Sequence, residues 1–436
     1  MQTIEHILRA GNLTDACYEV VRNKGAGGVD GMSVRELKTY LDNNRNALTA
    51  QILGGRYLPP PIRGKEIPKS NGKMRLLGIP TVVDRMLQQA VARVIMPRFE
   101  YMFTEYSYGF RPQHNQHQAI QQALKYIHSG YQDIVDIDLK GFFDEVNHVL
   151  LLELLHRSIK CKITMQLIRR WLRAPIWING QLVKRRKGVP QGSPISPLLS
   201  NIMLHELDKE LERMGLRFVR YADDFSIYCQ TKTEAKRVGN QIYTFLKDRL
   251  KLPINREKSG IRRPSTFSIL GYSFVPKYQK GDKGKYQLVV EKKRWANLKE
   301  KLKTITRKTT PMRFDERVQR LKEVGRGWIN YFRFASMYEK LQALDGWLRN
   351  RLRYCIWHDW KKPERKRKNL IRLGVPPDKA YAYSRTRKGG WAVAQSPILG
   401  TTITVERLTR RGYESLLTHY FRVCPHYQSH PLFPNV

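Results

Sequence analysis

The segment RFVRYADDFSIYC, residues 217–229, constrains the fold more than any other stretch of the sequence. Two-residue alternation is typical of strands, and two such runs joined by a short polar turn predict a β-hairpin. Asp223 and Asp224 form that turn. Adjacent carboxylates repel each other unless a positive group, such as a divalent cation, offsets their charge. The apolar residues of the two runs are Leu216, Phe218, Phe225, Ile227 and Cys229.

A third acid closes a second strand-like run. In DIVDIDL, residues 133–139, alternation places Val135, Ile137 and Leu139 on one face and Asp138 on the other. If this strand lies beside the hairpin, three carboxylates meet at one place. Carboxylate oxygens suit Mg²⁺, which keeps several waters and takes further ligands from substrate phosphates. A purely structural explanation stays open for the acid pair, because Asp hydrogen-bonds its own backbone in turns.

Helical segments separate these strands. Apolar residues spaced by three and four predict helices in DRMLQQAVARVI and QAIQQALKYI. Asn147 is the predicted N-cap of a helix in HVLLLELLHR. Helices interspersed with antiparallel strands predict an α+β domain. Beyond residue 290 the pattern is helical throughout, with Leu341, Leu344, Leu348 and Leu352 on one face.

The net charge indicates the class of partner. The chain has 79 Lys and Arg against 38 Asp and Glu, a net charge of +41. A folded chain this basic is attracted to polyanions, so nucleic acid is the leading partner and a membrane surface the competing one. No run of about 18 apolar residues is present to span a bilayer. Five scattered cysteines without a C-x-x-C pair predict a reducing cytoplasm rather than a disulfide framework or zinc finger.

The positive charge is concentrated towards the C-terminus. Residues 281–370 hold 26 Lys and Arg against 10 Asp and Glu, and six of the eight tryptophans lie beyond residue 290. This change in composition predicts a domain boundary near residues 275–290, within the charged segment KYQKGDKGKYQ. A second boundary is expected near residues 358–369. There, KKPERKRKN is either a solvated, flexible linker or a track for a nucleic-acid backbone.

Several motifs, in order along the chain, resemble those of reverse transcriptases. The central ones are DIDLKGFFDEVNH, GVPQGSPISPLLSNIMLHELD and YADD after a basic strand. Further motifs resemble the bacterial group II intron-encoded proteins: NKGAGGVDG, IPKSNGKMRLLGIPTVVDRMLQQA, YSYGFRP, NREKS, LGYSF and GRGWINYF. The resemblance covers essentially the whole chain.

The resemblance implies a right-hand polymerase of α+β class. Residues 1–275 would form the fingers and a palm with an antiparallel sheet, residues 276–358 an α-helical thumb or maturase domain, and residues 359–436 a small basic DNA-binding region. NKGAGGVDG would be a mobile loop that closes over the template, or simply a flexible connection. No HNH-like cluster follows, so the likeness is to the subgroup without an endonuclease, class C-like.

The resemblance also assigns the metal site. Asp138 and Asp223 look like the principal metal ligands, Asp224 the supporting acid, and the backbone carbonyl of Leu139 a further ligand. Two Mg²⁺ ions are expected there, with Mn²⁺ as a substitute. Lys258 in NREKS resembles a lysine that protonates pyrophosphate, although an ordinary phosphate contact is an alternative role.

A second group of residues would bind the incoming deoxynucleotide. Lys69 and Arg75 resemble a triphosphate clamp, with the lysine as a point charge and the arginine as a fork. Phe143 resembles the steric gate beneath the sugar, which would exclude a 2′-hydroxyl; plain core packing is the alternative. Gln191, beside Gly192, and Ala222 in YADD resemble residues that line the nucleotide.

The implied function is RNA-directed DNA polymerisation in a bacterial cytoplasm. The expected partners are an RNA template, a DNA primer, dNTPs, target DNA and the parent group II intron RNA, with no membrane involved. The protein would promote splicing of that intron and its mobility by target-primed reverse transcription. Two alternatives stay open: a domesticated reverse transcriptase in repair or defence, and an RNA-binding splicing cofactor without polymerase activity.

Overall fold

The computed structural model describes residues 2–68, 72, 74–278 and 284–425. The chain forms two compact units, Met1–Pro264 and Ser265–Val436. The division into residues 1–275, 276–358 and 359–436 stays a prediction.

The first unit alternates helices with strands, and its α+β composition confirms the predicted fold class. Its helices are α1 (Gln2–Leu8), α2 (Ala10–Arg22), α3 (Leu37–Leu53), α4 (Val82–Glu100), α5 (Gln116–His128), α6 (Phe142–Glu145), α7 (His148–Ser158), α8 (Lys162–Arg173), α9 (Ser196–Arg213) and α10 (Lys232–Asp248). Its strands are β1 (Ile62–Pro68), β2 (Met74–Ile79), β3 (Asp133–Ile137), β4 (Ile176–Ile178), β5 (Gln181–Val183), β6 (Arg217–Tyr221), β7 (Asp224–Cys229) and β8 (Gly260–Arg262).

These strands make two four-stranded sheets. One has the order β6-β7-β3-β8 and is antiparallel throughout, which confirms the predicted hairpin and its neighbour strand. The turn lies one residue earlier than predicted, at Ala222 and Asp223, because Asp224 already pairs with Tyr221 as the first residue of β7. The other has the order β2-β1-β4-β5, in which β1 pairs antiparallel with β2 and parallel with β4. Strands β1 and β2 are therefore consecutive antiparallel neighbours, and the residues 69–71 and 73 between them lie outside the described residues.

Local sequence signals explain where the helices begin. The Thr81 hydroxyl accepts a hydrogen bond from the Asp84 N–H at the start of α4. The Asn147 side chain accepts from the N–H groups of Val149 and Leu150, which confirms it as the N-cap of α7. Helices α4 and α9 carry buried residues on most of their circumference, so they form the centre of this unit. The aromatic and aliphatic side chains around them make one continuous core.

The glycines of NKGAGGVDG serve close packing in the structure. A Cβ atom on Gly28 would lie 2.7 Å from the Cα of Thr81, and one on Gly27 would lie 2.8 Å from the carbonyl oxygen of Met32. Arg85, largely buried, donates a hydrogen bond of 2.6 Å to the Ala26 carbonyl. The segment expected to be a mobile loop or flexible connection is thus packed against the start of α4, because only glycine leaves room for the two backbones.

The second unit is mostly helical, as the pattern beyond residue 290 predicts. A small sheet with the order β11-β10-β9 precedes the helices. The strands are β9 (Ser268–Ile269), β10 (Tyr272–Pro276) and β11 (Tyr286–Val290). The helices are α11 (Lys292–Ile305), α12 (Phe314–Tyr331), α13 (Tyr338–Asp359), α14 (Pro363–Arg372), α15 (Pro377–Ser384), α16 (Gly390–Ala394), α17 (Pro397–Thr402), α18 (Val405–Arg410) and α19 (Leu416–Val423).

Two features of this unit bear on the predicted boundaries. The segment KYQKGDKGKYQ begins directly after β10 and ends with the first two residues of β11, and its residues 279–283 lie outside the described residues. The two strands pair antiparallel, with Tyr272 opposite Val290. KKPERKRKN lies largely within α14, which begins at Pro363. Proline is favoured in the first turn of a helix, since the N–H it lacks would have no helical partner there.

All five cysteines, Cys17, Cys161, Cys229, Cys355 and Cys424, are buried as free thiols. Within the described ranges, none of the helices combines the length and the apolar character that crossing a membrane requires.

Candidate active site

One edge of the β6-β7-β3-β8 sheet collects the three predicted acids. Ile137, the last residue of β3, pairs with Phe225 near the start of β7. Asp138 directly follows Ile137, and Asp224 is the first residue of β7 with Asp223 before it. Because antiparallel pairing brings the end of one strand beside the start of the next, all three carboxylates lie at the same edge.

The turn that carries Asp223 has an uncommon backbone conformation. Ala222 has φ of +58°, in the left-handed region that residues with a side chain seldom adopt. Gly109, from the YSYGF segment, packs beneath it, and a Cβ atom there would lie 2.9 Å from the Ala222 Cα. The Tyr108 N–H donates a hydrogen bond of 2.8 Å to the Arg220 carbonyl. The YSYGF segment therefore packs directly against the turn and holds it in place.

The electrostatics of this edge favour a cation. Although the Asp224 side chain reaches solvent, the protein around it displaces enough water to raise its pKa to about 6, and repulsion from Asp223, Asp138 and Asp136 adds to this. Burial likewise raises the pKa of Asp223, with Asp138 contributing, while the Arg75 guanidinium acts in the opposite direction. Uncompensated carboxylates that raise each other's pKa values are stabilised when a positive ion binds between them.

Asp138 is held by a second segment of the chain. Its Oδ2 accepts a hydrogen bond of 2.9 Å from Asn255 Nδ2 and lies 3.6 Å from Lys258 Nζ. Its N–H donates to Ser259 Oγ at 3.0 Å, and its carbonyl accepts from the Asn255 N–H at 2.8 Å. Lys258 in NREKS is predicted from the family resemblance, whereas Asn255 and Ser259 of the same motif, which fix this acid in place, are not.

Leu139, the predicted backbone ligand, forms an isolated antiparallel bridge with Ile254. The hydrogen bonds of that bridge are made by the residues on either side, from the Lys140 N–H to the Pro253 carbonyl and from the Asn255 N–H to the Asp138 carbonyl. The pairing therefore does not use the Leu139 carbonyl. Its role as a ligand stays a prediction.

The predicted triphosphate clamp is described in part. Arg75 lies exposed on β2, opposite Ile67 of β1, and its charge opposes the rise in the pKa of Asp223. Lys69 lies outside the described residues. The β1–β2 hairpin thus brings one of the two predicted cations into the electrostatic environment of the acids.

The PQG segment is fixed to the same hairpin. The Gly78 N–H donates a hydrogen bond of 2.8 Å to the Gln191 carbonyl. Gly192 has φ of +111°, and a Cβ atom there would lie 2.8 Å from the Gly78 carbonyl oxygen. A glycine is therefore required at this position, and the Gln191 side chain stays half-exposed beside β2.

Phe143 lies in the short helix α6, one residue after the buried Phe142. Its ring is half-buried and lies 5.3 Å from that of Phe142 in an edge-to-face arrangement. Its carbonyl accepts a hydrogen bond of 2.6 Å from the Val189 N–H, which ties α6 to the segment before PQG. The partial exposure leaves ring surface available to a ligand, and the gate role stays a prediction.

The donor set can be compared with what Mg²⁺ requires. In the part of the chain that the structure describes, no three His, Cys, Asp or Glu side chains form a group that could hold a metal ion by themselves. Mg²⁺ commonly binds through one or two carboxylates and takes its remaining ligands from water and substrate phosphates. The carboxylates at this edge fit such an open site, which substrate would complete.

Three buried polar residues near the turn were also not predicted from the sequence: Asn201, Asp208 and Arg220. Arg220 lies in the otherwise apolar run FVRYA, and Asn201 and Asp208 lie in LSNIMLHELD on the largely buried helix α9. Charged residues are almost never fully buried unless they are paired. An Arg inside a core strand and an Asp on a core helix are therefore the signal that could have identified them.

Comparison with known families identifies two regions of the chain. The sequence profile described as "Reverse transcriptase (RNA-dependent DNA polymerase)" matches residues 67–274. The profile described as "Group II intron, maturase-specific domain" matches residues 295–374. The first match includes every predicted site residue, and the second lies within the helical unit.

Individual relatives agree with these matches. Protein YkfC of Escherichia coli K12 is 32% identical over 306 residues, which cover 61% of this chain and 80% of that protein. The group II intron-encoded protein LtrA of Lactococcus lactis is 35% identical over 247 residues, 54% of this chain but 40% of LtrA. The solved partial Cas6-RT-Cas1–Cas2 complex has 26% sequence identity and a TM-score of 0.37, covering 56% of this chain and 41% of that one. The two profile matches and the similarity to YkfC and LtrA show that the chain belongs to the family of group II intron-encoded reverse transcriptases and maturases.

Proposed function

We propose that this protein is an RNA-directed DNA polymerase whose Asp138, Asp223 and Asp224 hold two Mg²⁺ ions. The observation that carries the proposal is the convergence of these three acids at one edge of an antiparallel sheet. The match to the reverse transcriptase profile over the same residues supports it. Mn²⁺ is expected to substitute, since it also prefers oxygen ligands.

The bound ions would activate the attacking 3′-hydroxyl and stabilise the leaving pyrophosphate. The chain's own residues prepare the site for them. Asn255 and Ser259 orient Asp138. Crowding by Asp223, Asp138 and Asp136 contributes to the raised pKa of Asp224, a repulsion that a bound cation would offset. Lys258, whose Nζ lies 3.6 Å from Asp138 Oδ2, is close enough to the acids to contact a phosphate of the nucleotide or the leaving pyrophosphate.

The remaining predicted residues would select the nucleotide. Arg75 would bind the triphosphate as a bidentate fork, together with Lys69. Phe143 would exclude a 2′-hydroxyl by contact with its exposed ring. Gln191 and the Ala222 backbone would line the base and sugar, on loops that packing against β2 and Gly109 holds in place.

The partners follow from the family and the charge. We propose that the chain binds an RNA template, a DNA primer and dNTPs, and that it binds its parent group II intron RNA and target DNA. The maturase-specific match at residues 295–374 and the net charge of +41 support this. Splicing and target-primed reverse transcription would then use the same protein.

The test is extension of a DNA primer annealed to an RNA template. Product should form with Mg²⁺ or Mn²⁺, disappear with a chelator, and disappear in the Asp223→Asn variant. A parallel assay measures splicing of a group II intron RNA by the same preparations. Splicing without primer extension would refute the proposed polymerase activity and support an RNA-binding splicing cofactor. Primer extension without affinity for any intron RNA would favour a domesticated reverse transcriptase.

A further inference from the structure

The side chain of Arg220 is fully buried in β6, two residues before the turn that carries Asp223. It pairs with Asp208 of α9, whose side chain is equally buried. The contact is bidentate: Nε donates to Oδ1 at 2.7 Å and Nη2 donates to Oδ2 at 2.6 Å. Such a fork fixes the orientation of the guanidinium plane.

The remaining nitrogen of this guanidinium reaches the turn itself. Nη1 donates to the Ala222 carbonyl at 3.0 Å and to Asn201 Oδ1 at 2.9 Å. Asn201 Nδ2 in turn donates to the Gly109 carbonyl at 2.9 Å, beneath the same turn. The network therefore links α9, β6 and the YSYGF segment to a single backbone carbonyl that precedes Asp223.

Folding stability alone gives a poor account of this network. A buried ion pair loses about as much from desolvation as it gains from attraction, and well-packed apolar residues can replace it at little cost. What apolar residues cannot do is hold a carbonyl in one direction. Ala222 has a left-handed backbone, and its carbonyl belongs to the peptide unit that places Asp223. Rotation of that peptide would move the carboxylate away from Asp138.

We propose that Arg220 is a positioning residue that holds the Ala222–Asp223 peptide in the orientation needed for a divalent cation to bind at Asp223. The inference rests on the proposed metal-dependent polymerase and adds Asp208 and Asn201 as the supports of that arginine. Partners that orient metal ligands commonly change metal affinity by tenfold or more when they are removed.

The test measures binding of Mn²⁺ alone to the full chain, by electron paramagnetic resonance of the free ion, together with thermal unfolding. Arg220→Met leaves Asp208 buried without its partner, so both stability and Mn²⁺ affinity should fall. The double variant Arg220→Met with Asp208→Leu replaces the pair by apolar side chains. Its melting temperature should rise above that of the single variant, while its Mn²⁺ affinity should stay about tenfold or more below wild type.

A matched control comes from the second unit. Arg317 is also a buried arginine, and its guanidinium donates to the carbonyls of Ile305, Arg307 and Thr310. Arg317→Met should lower the melting temperature and leave Mn²⁺ affinity at the wild-type value. Recovery of wild-type Mn²⁺ affinity in the double variant, or an affinity that follows melting temperature in every variant, would overturn the inference.

Arg220→Lys keeps the test decisive if the methionine variants do not fold. Lysine keeps the charge opposite Asp208, but its single ammonium cannot reproduce the fork and the contact to Ala222 together. We expect a near-native melting temperature with Mn²⁺ affinity lowered roughly tenfold. Wild-type affinity in this variant would also refute the inference, while wild-type protein that binds Mn²⁺ but extends no primer would refute the proposed polymerase instead.

Discussion

Two charged regions of this protein use charge in opposite ways. At the turn that carries Asp223, ionised groups are crowded, partly buried and held by Arg220 and Asn255 at fixed distances. In KKPERKRKN, which spans the start of α14 and the two residues before it, the charged residues are mostly exposed. Buried charge acts over hydrogen-bonding distance and resists salt, whereas exposed charge acts over about 10 Å and is screened by salt. The first arrangement suits chemistry at one point, and the second suits attraction of a polyanion.

The details of α14 sharpen this contrast. Lys366 lies over the Trp357 ring at 4.5 Å, and Arg367 lies 3.9 Å from Glu364. Both are therefore partly engaged within the protein. The exposed cations of the segment are Lys361, Lys362, Arg365 and Lys368. Because residues 363–369 of the segment are helical, the flexible-linker interpretation is wrong for them, and Arg365 and Lys368 are exposed on an ordered helix.

The largest effect should come from Asp223→Ala. Loss of a ligand in a two-metal site should remove roughly 4 kcal/mol of transition-state stabilisation, about a thousandfold in rate. Affinity for a primer–template duplex should change by no more than a few-fold, since the carboxylate binds metal rather than nucleic acid. Primer extension and filter binding measure the two quantities. Extension within tenfold of wild type would refute the metal assignment.

The next effect concerns the exposed region. Changing Lys361, Lys362, Arg365, Lys366, Arg367 and Lys368 to Gln should flatten the slope of log affinity against log salt by about 2–4 units. Between 0.1 and 0.3 M salt this amounts to roughly tenfold to a hundredfold in relative affinity. Binding of duplex DNA or intron RNA across a salt series is the measurement.

Two smaller variants show which of these six residues contribute to the change in slope. Replacing the four exposed cations should account for most of the change in slope, and replacing Lys366 and Arg367 for little. Extension of a pre-annealed primer at saturating substrate should stay near the wild-type rate in both. An unchanged slope of log affinity against log salt would mean that these charges contact only solvent. A lower rate of primer extension at saturating substrate would mean that α14 stabilises the fold of the second unit.

Phe143→Val should change the selection between deoxyribonucleotides and ribonucleotides at the proposed active site. If the exposed part of the ring collides with a 2′-hydroxyl, its removal should relieve roughly 2 kcal/mol of overlap and admit ribonucleotides about thirtyfold more readily. The measurement is the ratio of kcat/KM for dNTP and rNTP. A core defect lowers both values together, so an unchanged ratio would assign Phe143 to packing alone.

Asn255→Ala should give the smallest effect. The variant loses the hydrogen bond to Asp138 Oδ2 but leaves every carboxylate present, so metal affinity and kcat should fall by about tenfold. The expected signature is a shift in the Mg²⁺ concentration for half-maximal extension without a change in primer–template affinity. A normal Mg²⁺ dependence would show that Ser259 and the backbone hold Asp138 sufficiently.

Local patterns predicted the elements that carry the acids. Period-two alternation identified β3, β6 and β7, and the cap at Asn147 marked the start of α7, because these signals depend only on neighbouring residues. The family motifs then indicated Asp138, Asp223 and Asp224, and the sheet register brings them to one edge. Chemistry that is encoded within a few consecutive residues was therefore accessible from sequence.

Contacts between distant segments were not predictable in this way. From its neighbours in sequence, Gly28 is expected to be a flexible residue. In the structure its backbone packs against Thr81, 53 positions later in the chain. Asn255 lies 117 residues from the carboxylate it holds. Arg220 interrupts the apolar run FVRYA, yet its neighbours in sequence do not indicate that its partner is Asp208 of α9. Such pairs depend on tertiary packing, which a single sequence does not specify residue by residue.

The burial of all five native cysteines makes the chain suitable for site-specific labelling. A buried thiol reacts slowly with a maleimide dye, because the reagent needs an accessible thiolate. Lys368→Cys on α14 and Tyr101→Cys, at a position 94% exposed in the first unit, would each provide one reactive site without removing any native cysteine. A donor and an acceptor at these two positions would then report by energy transfer whether the distance between the two labels changes when an RNA–DNA hybrid binds.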